Sequence, residues 1–214
     1  MSDRLGAVGM GAARIIRLGT VTSTQDAARD LPIGSVVVAE HQTQGRGRQE
    51  HTWQAPAGTA LLVSFVLAPN PLLSLAAGVA AAEACDQEVR LKWPNDLLLG
   101  GRKVGGILVE ATPVKAVCGI GINLTWAPEG AARLNQPRDS VLERLHLAVD
   151  RWSSATPEDV LARWRELSDT IGKKVRVMLP NRTFEGLAQD INERGELMVD
   201  GEPVSAGSVT HLTD

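Results

Sequence analysis

The run Gln44-Gly45-Arg46-Gly47-Arg48 holds the residues best suited to ligand chemistry. Glycines at alternate positions let backbone N–H groups turn toward a ligand and approach it closely. The two arginines add planar, permanently charged forks that suit phosphate or carboxylate. Trp53, a few residues on, adds a flat apolar face. A solvated basic loop is the competing reading, since Gly-Arg pairs also recur in RNA-binding tails. The position of the run between two buried strand candidates favours a ligand site.

A second segment, KWPNDLLLGGRKVGGILVE at residues 92–110, sets Lys92, Asp96, Arg102 and Lys103 in or beside apolar strands. Charges placed there are costly unless paired or used. Lys103 follows a hairpin turn and precedes Gly105-Gly106, and glycine inside a strand often marks close approach by a ligand or a neighbour. An ordinary turn lysine and an Asx-turn aspartate remain the alternatives for Lys103 and Asp96. In a third segment, Gly119-Ile120-Gly121-Ile122-Asn123, alternate glycines leave one face of a strand flat. That face fits an aromatic ring or a base, or else tight packing against a helix.

These segments need a frame. Residues 14–18 read as a short strand, and Thr22, Ser23 and Thr24 offer N-cap hydroxyls to a short helix starting near Gln25. Residues 35–40 and 59–67 are β-branched, apolar strands. Residues 72–85 are apolar and alanine-rich and predict a buried helix. Strands follow at 88–93, 96–99, 103–110 and 115–123, with Gly100-Gly101 as a hairpin turn. Residues 139–152 are helical. Thr156 caps a second helix with Pro157 in its first position. Val160, Leu161, Trp164, Leu167, Ser168 and Ile171 keep its apolar period, and Gly172 ends it. Beyond Lys173, short strands separated by Asn, Gly and Pro turns predict a small β-barrel.

Strands and helices do not alternate strictly. The fold class expected is therefore α/β (α+β), with a mixed, mainly antiparallel sheet and helices, followed by the small β-domain. The expected division is a loose lead-in at 1–13, a main domain at 14–172 and the β-domain at 173–214.

Composition narrows the function. A formal net charge of −3 on 214 residues argues against DNA or RNA as the partner. No apolar run nears the roughly 20 residues that cross a bilayer, and no secretory signal is evident, so a cytoplasmic protein is expected. Cys85 and Cys118 lie far apart in apolar surroundings and read as reduced, buried thiols.

Together, GRGRQEHTW, KWPNDLLLGGRKVGGILVE and GIGIN resemble, in order and approximate spacing, the catalytic domain of bacterial biotin–protein ligases. The β-domain resembles that family's SH3-like tail. The resemblance implies ATP-dependent activation of biotin to biotinyl-5′-AMP, with Mg2+ accompanying the ATP phosphates. Transfer to a lysine of a biotin-acceptor domain, such as that of acetyl-CoA carboxylase, would follow. It also implies site roles. Ser23, Thr24, Gln25 and Gln42 would hydrogen-bond the ureido ring of biotin. Gly45, Arg46, Gly47 and Arg48 would form the loop over biotin and the adenylate. Trp53 would wall the adenine side and Asn123 would contact adenine. Gly106 would line the biotin pocket. Lys103 and Arg48 would neutralise the transferring phosphate, and Asp96 would stand near the reacting carbonyl and the incoming lysine.

The sequence departs from the family pattern in places. Gln49-Glu50-His51 replaces further arginine or glycine, and Thr22 and Gln25 replace the usual Asp and Asn. Fewer than about twenty residues precede the first strand, too few for the winged-helix DNA-binding domain of some relatives, so repression of transcription by this chain alone is not expected. Monomer and homodimer both remain open. Lipoate or octanoate ligation is the nearest rival reading. A non-catalytic biotin sensor is the rival from another class.

Overall fold

The computed structural model describes residues 14–49 and 51–212, so the expected lead-in and Glu50 lie outside the described residues. In chain order the elements are β1 (Arg14–Val21), α1 (Thr24–Ala28), β2 (Ser35–Gln42), β3 (Ala60–Leu67), α2 (Leu73–Ala84), β4 (Val89–Lys92), β5 (Asp96–Leu99), β6 (Arg102–Ala111), β7 (Ala116–Asn123), α3 (Arg138–Ser153), α4 (Pro157–Leu167), β8 (Lys174–Met178), β9 (Thr183–Ile191), β10 (Leu197–Val199), β11 (Glu202–Val204) and β12 (Ser208–His211).

Seven strands form the first sheet, in the order β1-β2-β3-β7-β6-β5-β4. Only the β1–β2 pair is parallel. The mixed, mainly antiparallel sheet expected from the element order is what forms. The two central strands, β3 and β7, are apolar along most of their length because both of their faces are covered. On one face Leu61, Val63, Phe65, Cys118, Ile120 and Ile122 join a core completed by α2, α3 and α4. On the other, Val37, Val66 and Val117 pack with Ala28 of α1. Period-two alternation puts Leu62, Ser64, Gly119 and Gly121 on this second face, where the cavity described below opens.

Ten of the twelve residues of α2 are buried. The helix is apolar all round, as a helix sandwiched between a sheet and two other helices must be. Its one charged residue, Glu83, accepts from Trp152 Nε1 at 2.9 Å and Arg163 Nε at 3.0 Å, which offsets the cost of its partial burial. Thr156 caps α4 by accepting from Asp159 N, with Pro157 in the first turn, as expected.

The end of α4 departs from expectation. The helix stops at Leu167, and Ser168 is extended. The Ser168 hydroxyl accepts from the N–H groups of Thr170 and Ile171, and the segment runs beside β4: Asp169 N donates to Leu91 O at 2.7 Å and Trp93 N donates to Thr170 Oγ1 at 3.0 Å. The apolar spacing continued past Leu167, but edge pairing and a serine turn satisfy this backbone better than another helical turn would.

The last five strands form an antiparallel sheet in the order β11-β10-β9-β8-β12. It docks on the first unit through side-chain hydrogen bonds. Trp93 Nε1 donates to Gly195 O at 3.0 Å, and Arg165 reaches Asp190 Oδ1 and Ile191 O, each at 2.7 Å. Gly172 takes φ +86° between the two units.

Candidate active site

A cavity of about 280 Å3 opens on the second face of the large sheet. Its floor is polar. Ser23 caps α1 by accepting from Gln25 N at 3.2 Å. Thr24 N donates to Gln42 Oε1 at 2.7 Å, and Thr24 Oγ1 lies 3.0 Å from the same oxygen. Because the backbone N–H holds the carboxamide oxygen, Gln42 keeps its Nε2 donors for other partners. Gln25 is 3% exposed and lies against Gly119, where a Cβ would come within 3.1 Å of its carboxamide. Gln25 Nε2 donates to Leu108 O and Val117 O, and its Oε1 lies 3.1 Å from Ser64 Oγ.

The flat face predicted for Gly119 and Gly121 is filled from within the chain, by Gln25 and by the ring of Trp53. A Cβ on Gly121 would stand 2.7 Å from Trp53 Cε2, so only glycine admits the indole there. Gly106, beside Gly121 in the ladder, faces both Trp53 and the Lys103 ammonium. Trp53 Nε1 and Arg46 Nε are buried N–H groups without a partner. Buried donors of this kind ordinarily find an acceptor, and both belong to the loop that covers the cavity.

The loop is fastened by its own residues. Arg46 bridges Asp26 at 3.0 Å and Glu110 at 3.1 Å, and Trp53 N donates to Gly45 O at 2.9 Å. Arg46 is thereby neutralised by carboxylates of α1 and β6. Arg48 is not. It is half-buried, its guanidinium donates to Asn95 Oδ1 at 3.4 Å, and burial pulls its pKa below the ordinary value while Asp96 opposes that. Lys103 Nζ lies 2.6 Å from Asp96 Oδ1. This end of the cavity is therefore cationic, with one carboxylate.

A bulge makes the Lys103–Asp96 pair. Asp96 pairs with Gly106 and Leu97 with Gly105, but Leu98 pairs with Lys103, leaving Val104 as the extra residue. Lys103 and Gly106, three apart, would face opposite sides of a regular strand. The extra residue brings them to the same side. Val104 turns into the core at 0% exposure.

Of the residues singled out in the sequence, Ser23, Thr24, Gln25, Gln42, Arg46, Gly47, Arg48, Trp53, Asp96, Lys103 and Gly106 line this one cavity. Gly45 and Asn123 do not. Gly45 sits at a close approach between Gln42 and Trp53, and Asn123 Nδ2 donates to Ala132 O at 3.0 Å, holding the segment after β7. Three contributions were missed. Ser64 was legible as the lone polar residue in an apolar strand. Asn95 adjoins Asp96. Gly207, Ser208 and Val209, at the start of β12, line the cavity, and Ser208 Oγ donates to Gln49 Oε1 at 2.6 Å. Nothing in the sequence signals that last contact.

The geometry has counterparts among known proteins. Residues 13–125 match the biotin/lipoate A/B protein ligase family, and residues 170–212 match the biotin protein ligase C-terminal domain. The chain belongs to the biotin/lipoate A/B protein ligase family. Within it, the chain is similar to the biotin–[acetyl-CoA-carboxylase] ligase of Mycobacterium tuberculosis, at 36% identity covering 84% of this chain and 79% of that protein. It is 29% identical to the bifunctional ligase/repressor BirA of Escherichia coli, covering 84% of this chain but only 65% of that protein. Among solved structures, the biotin protein ligase of Aquifex aeolicus in complex with biotin and ATP aligns with a TM-score of 0.83 at 25% identity, over 94% of this chain and 99% of that one. The family implied by the three sequence motifs is the one found. No helix among the described residues is long and apolar enough to cross a membrane.

Proposed function

We propose that this chain is a biotin–protein ligase that forms biotinyl-5′-AMP from biotin and ATP and transfers the biotinyl group to one lysine of a carboxylase acceptor domain. One observation carries the reading: a single cavity joins an oriented polar floor to a cationic end. At the floor, Thr24 and Gln42 are fixed to each other and can meet a ring that offers N–H and C=O groups side by side. The ureido ring of biotin is such a group. The dithiolane of lipoate and the alkyl end of octanoate offer neither, and burying unpaired polar groups against them would cost affinity.

At the other end, the biotin carboxylate oxygen attacks the α-phosphorus of ATP. A mixed anhydride forms and pyrophosphate leaves. Both reactants are anions, so Arg48 and Lys103 hold them together and stabilise the charge that builds on the phosphoryl oxygens. Mg2+ accompanying the ATP phosphates would add further positive charge beside Arg48 and Lys103. The acceptor amine then attacks the anhydride carbonyl, its proton passes toward Asp96, and AMP leaves. The loop over the cavity keeps water from the anhydride. In this reading residues 14–172 supply the chemistry, and the β-domain adds Gly207, Ser208 and Val209 to the cavity wall.

The test is to incubate the protein with MgATP, biotin and a biotin-acceptor domain and to weigh the acceptor. The expected result is a gain of one biotinyl group that is greatly slowed by Lys103→Ala. A gain with lipoate but not biotin would move the assignment to lipoate ligation. Biotin binding with no gain of either group would make the chain a sensor.

A further inference from the structure

Ser64 lies at the centre of β3, is 0% exposed and does not line the cavity, yet it touches two residues that do. Its Oγ is 2.9 Å from Thr24 Oγ1 and 3.1 Å from Gln25 Oε1. Proton counting in this cluster gives Ser64 a role. Gln25 Nε2 faces two backbone carbonyls, so its Oε1 is the end that meets Ser64. Gln42 Oε1 faces Thr24 N, so it too is an acceptor. The three contacts Gln42–Thr24, Thr24–Ser64 and Ser64–Gln25 join four oxygens that share only two hydroxyl protons.

Only two of those three contacts can be hydrogen bonds at once. Gln42 Oε1 already accepts from a backbone N–H, whereas Gln25 Oε1 has Ser64 as its hydrogen-bond donor. A buried acceptor left without a donor is costly. The Ser64 proton therefore goes to Gln25, and the Thr24 proton goes to Ser64, because Gln42 Oε1 already has the Thr24 N–H. Thr24 thus spends its proton inside the protein and offers lone pairs to the cavity.

We propose that Ser64 is a positioning residue for the biotin-binding step, acting through Thr24, and that Gln25 belongs to the same buried scaffold and is not itself a ligand contact. Ser64 anchors the Thr24 hydroxyl and orients it to accept from the ligand. The proposal rests on the biotin–ligase reading above.

A thermodynamic cycle tests it. Biotin affinity is measured by calorimetry for the wild-type chain, Ser64→Ala, Thr24→Val and the double variant, and the KM values for biotin and ATP are measured alongside. Thr24→Val keeps the backbone N–H that holds Gln42. The expected result is a loss of biotin affinity of roughly three- to tenfold in Ser64→Ala, with the KM for ATP unchanged. In the Thr24→Val background the same change should cost less than about twofold, because residues that act through one another are not additive. Should Ser64→Ala not fold, Ser64→Cys, with its weaker donor, runs the same cycle. Equal losses in both backgrounds, or a parallel rise in the KM for ATP, would overturn the proposal. A wild-type chain that does not bind biotin would instead overturn the reading on which it rests.

Discussion

Lys103 Nζ and Asp96 Oδ1 stand 2.6 Å apart because β6 carries one residue more than β5 across their pairing. The two groups have separate duties in the proposed reaction, and single substitutions separate them. Lys103→Ala is expected to slow ATP–pyrophosphate exchange by about 10²–10³, the usual cost of losing a preorganised charge contact. Asp96→Asn is expected to leave exchange largely intact and to slow transfer from preformed adenylate to the acceptor. Exchange assays and single-turnover transfer measure the two steps independently. Equal effects of both variants on both steps would show that the pair acts as one unit.

Gly121 and Gly105 lie in neighbouring strands but serve different ends. A methyl group at position 121 meets the Trp53 ring at 2.7–3.0 Å, so Gly121→Ala should expel the indole. The expected result is weaker ATP binding and faster proteolysis of the loop at residues 44–53, with little change in melting temperature. At Gly105 the added methyl meets the backbone oxygen of Gly121 at 2.8 Å and Leu97 at 2.7 Å. There the expected loss is stability, of about 1–3 kcal/mol, read from urea unfolding.

His211 makes stability depend on pH. Burial, Lys92 and Lys173 pull its pKa from 6.5 down to about 4, against the opposing pull of Asp169. The folded chain therefore holds His211 neutral while the unfolded chain binds a proton below about 6.5. Stability is full above that pH and falls as pH drops from 6.5 toward 4. By pH 5 the loss from this group reaches about 2 kcal/mol. The difference in urea midpoint between pH 7 and pH 5 should shrink in His211→Gln.

Cys85 and Cys118 are free and buried, and burial pushes both thiols up to about 12. Thiolate is the reactive form, so the native protein should resist a disulfide reagent at pH 8 and both thiols should react in urea. Reaction of either thiol in the native state would reveal local opening of α2 or β7.

Much of the frame was legible because its signals are local. Alternate apolar residues, the Gly100-Gly101 turn with both φ values positive, and the Thr156-Pro157 cap each act within a few residues. Most of the cavity lining was legible for a different reason: glycines and charges inside apolar strands are locally costly and stand out. What escaped depends on distant partners. The end of α4 is decided by β4 and the residue after it, Trp93, whose N–H donates to the Thr170 hydroxyl 77 residues later. Arg46 looks like a ligand-binding cation until Asp26 and Glu110 come to meet it. The bulge at Val104 changes which side Lys103 faces without changing the sequence signal of either strand.

The cavity wall begins at Ser23 and is not closed until Val209. A chain cut short before β12 would keep the glycine-arginine loop, the lysine and the aspartate, but would lose the Ser208 contact to Gln49. Under the proposed function, such a fragment is expected to form the anhydride and to hold it less well against water and nearby amines. In the proposed reaction, delivery to a single acceptor therefore rests on β12 as well as on the residues that perform the chemistry.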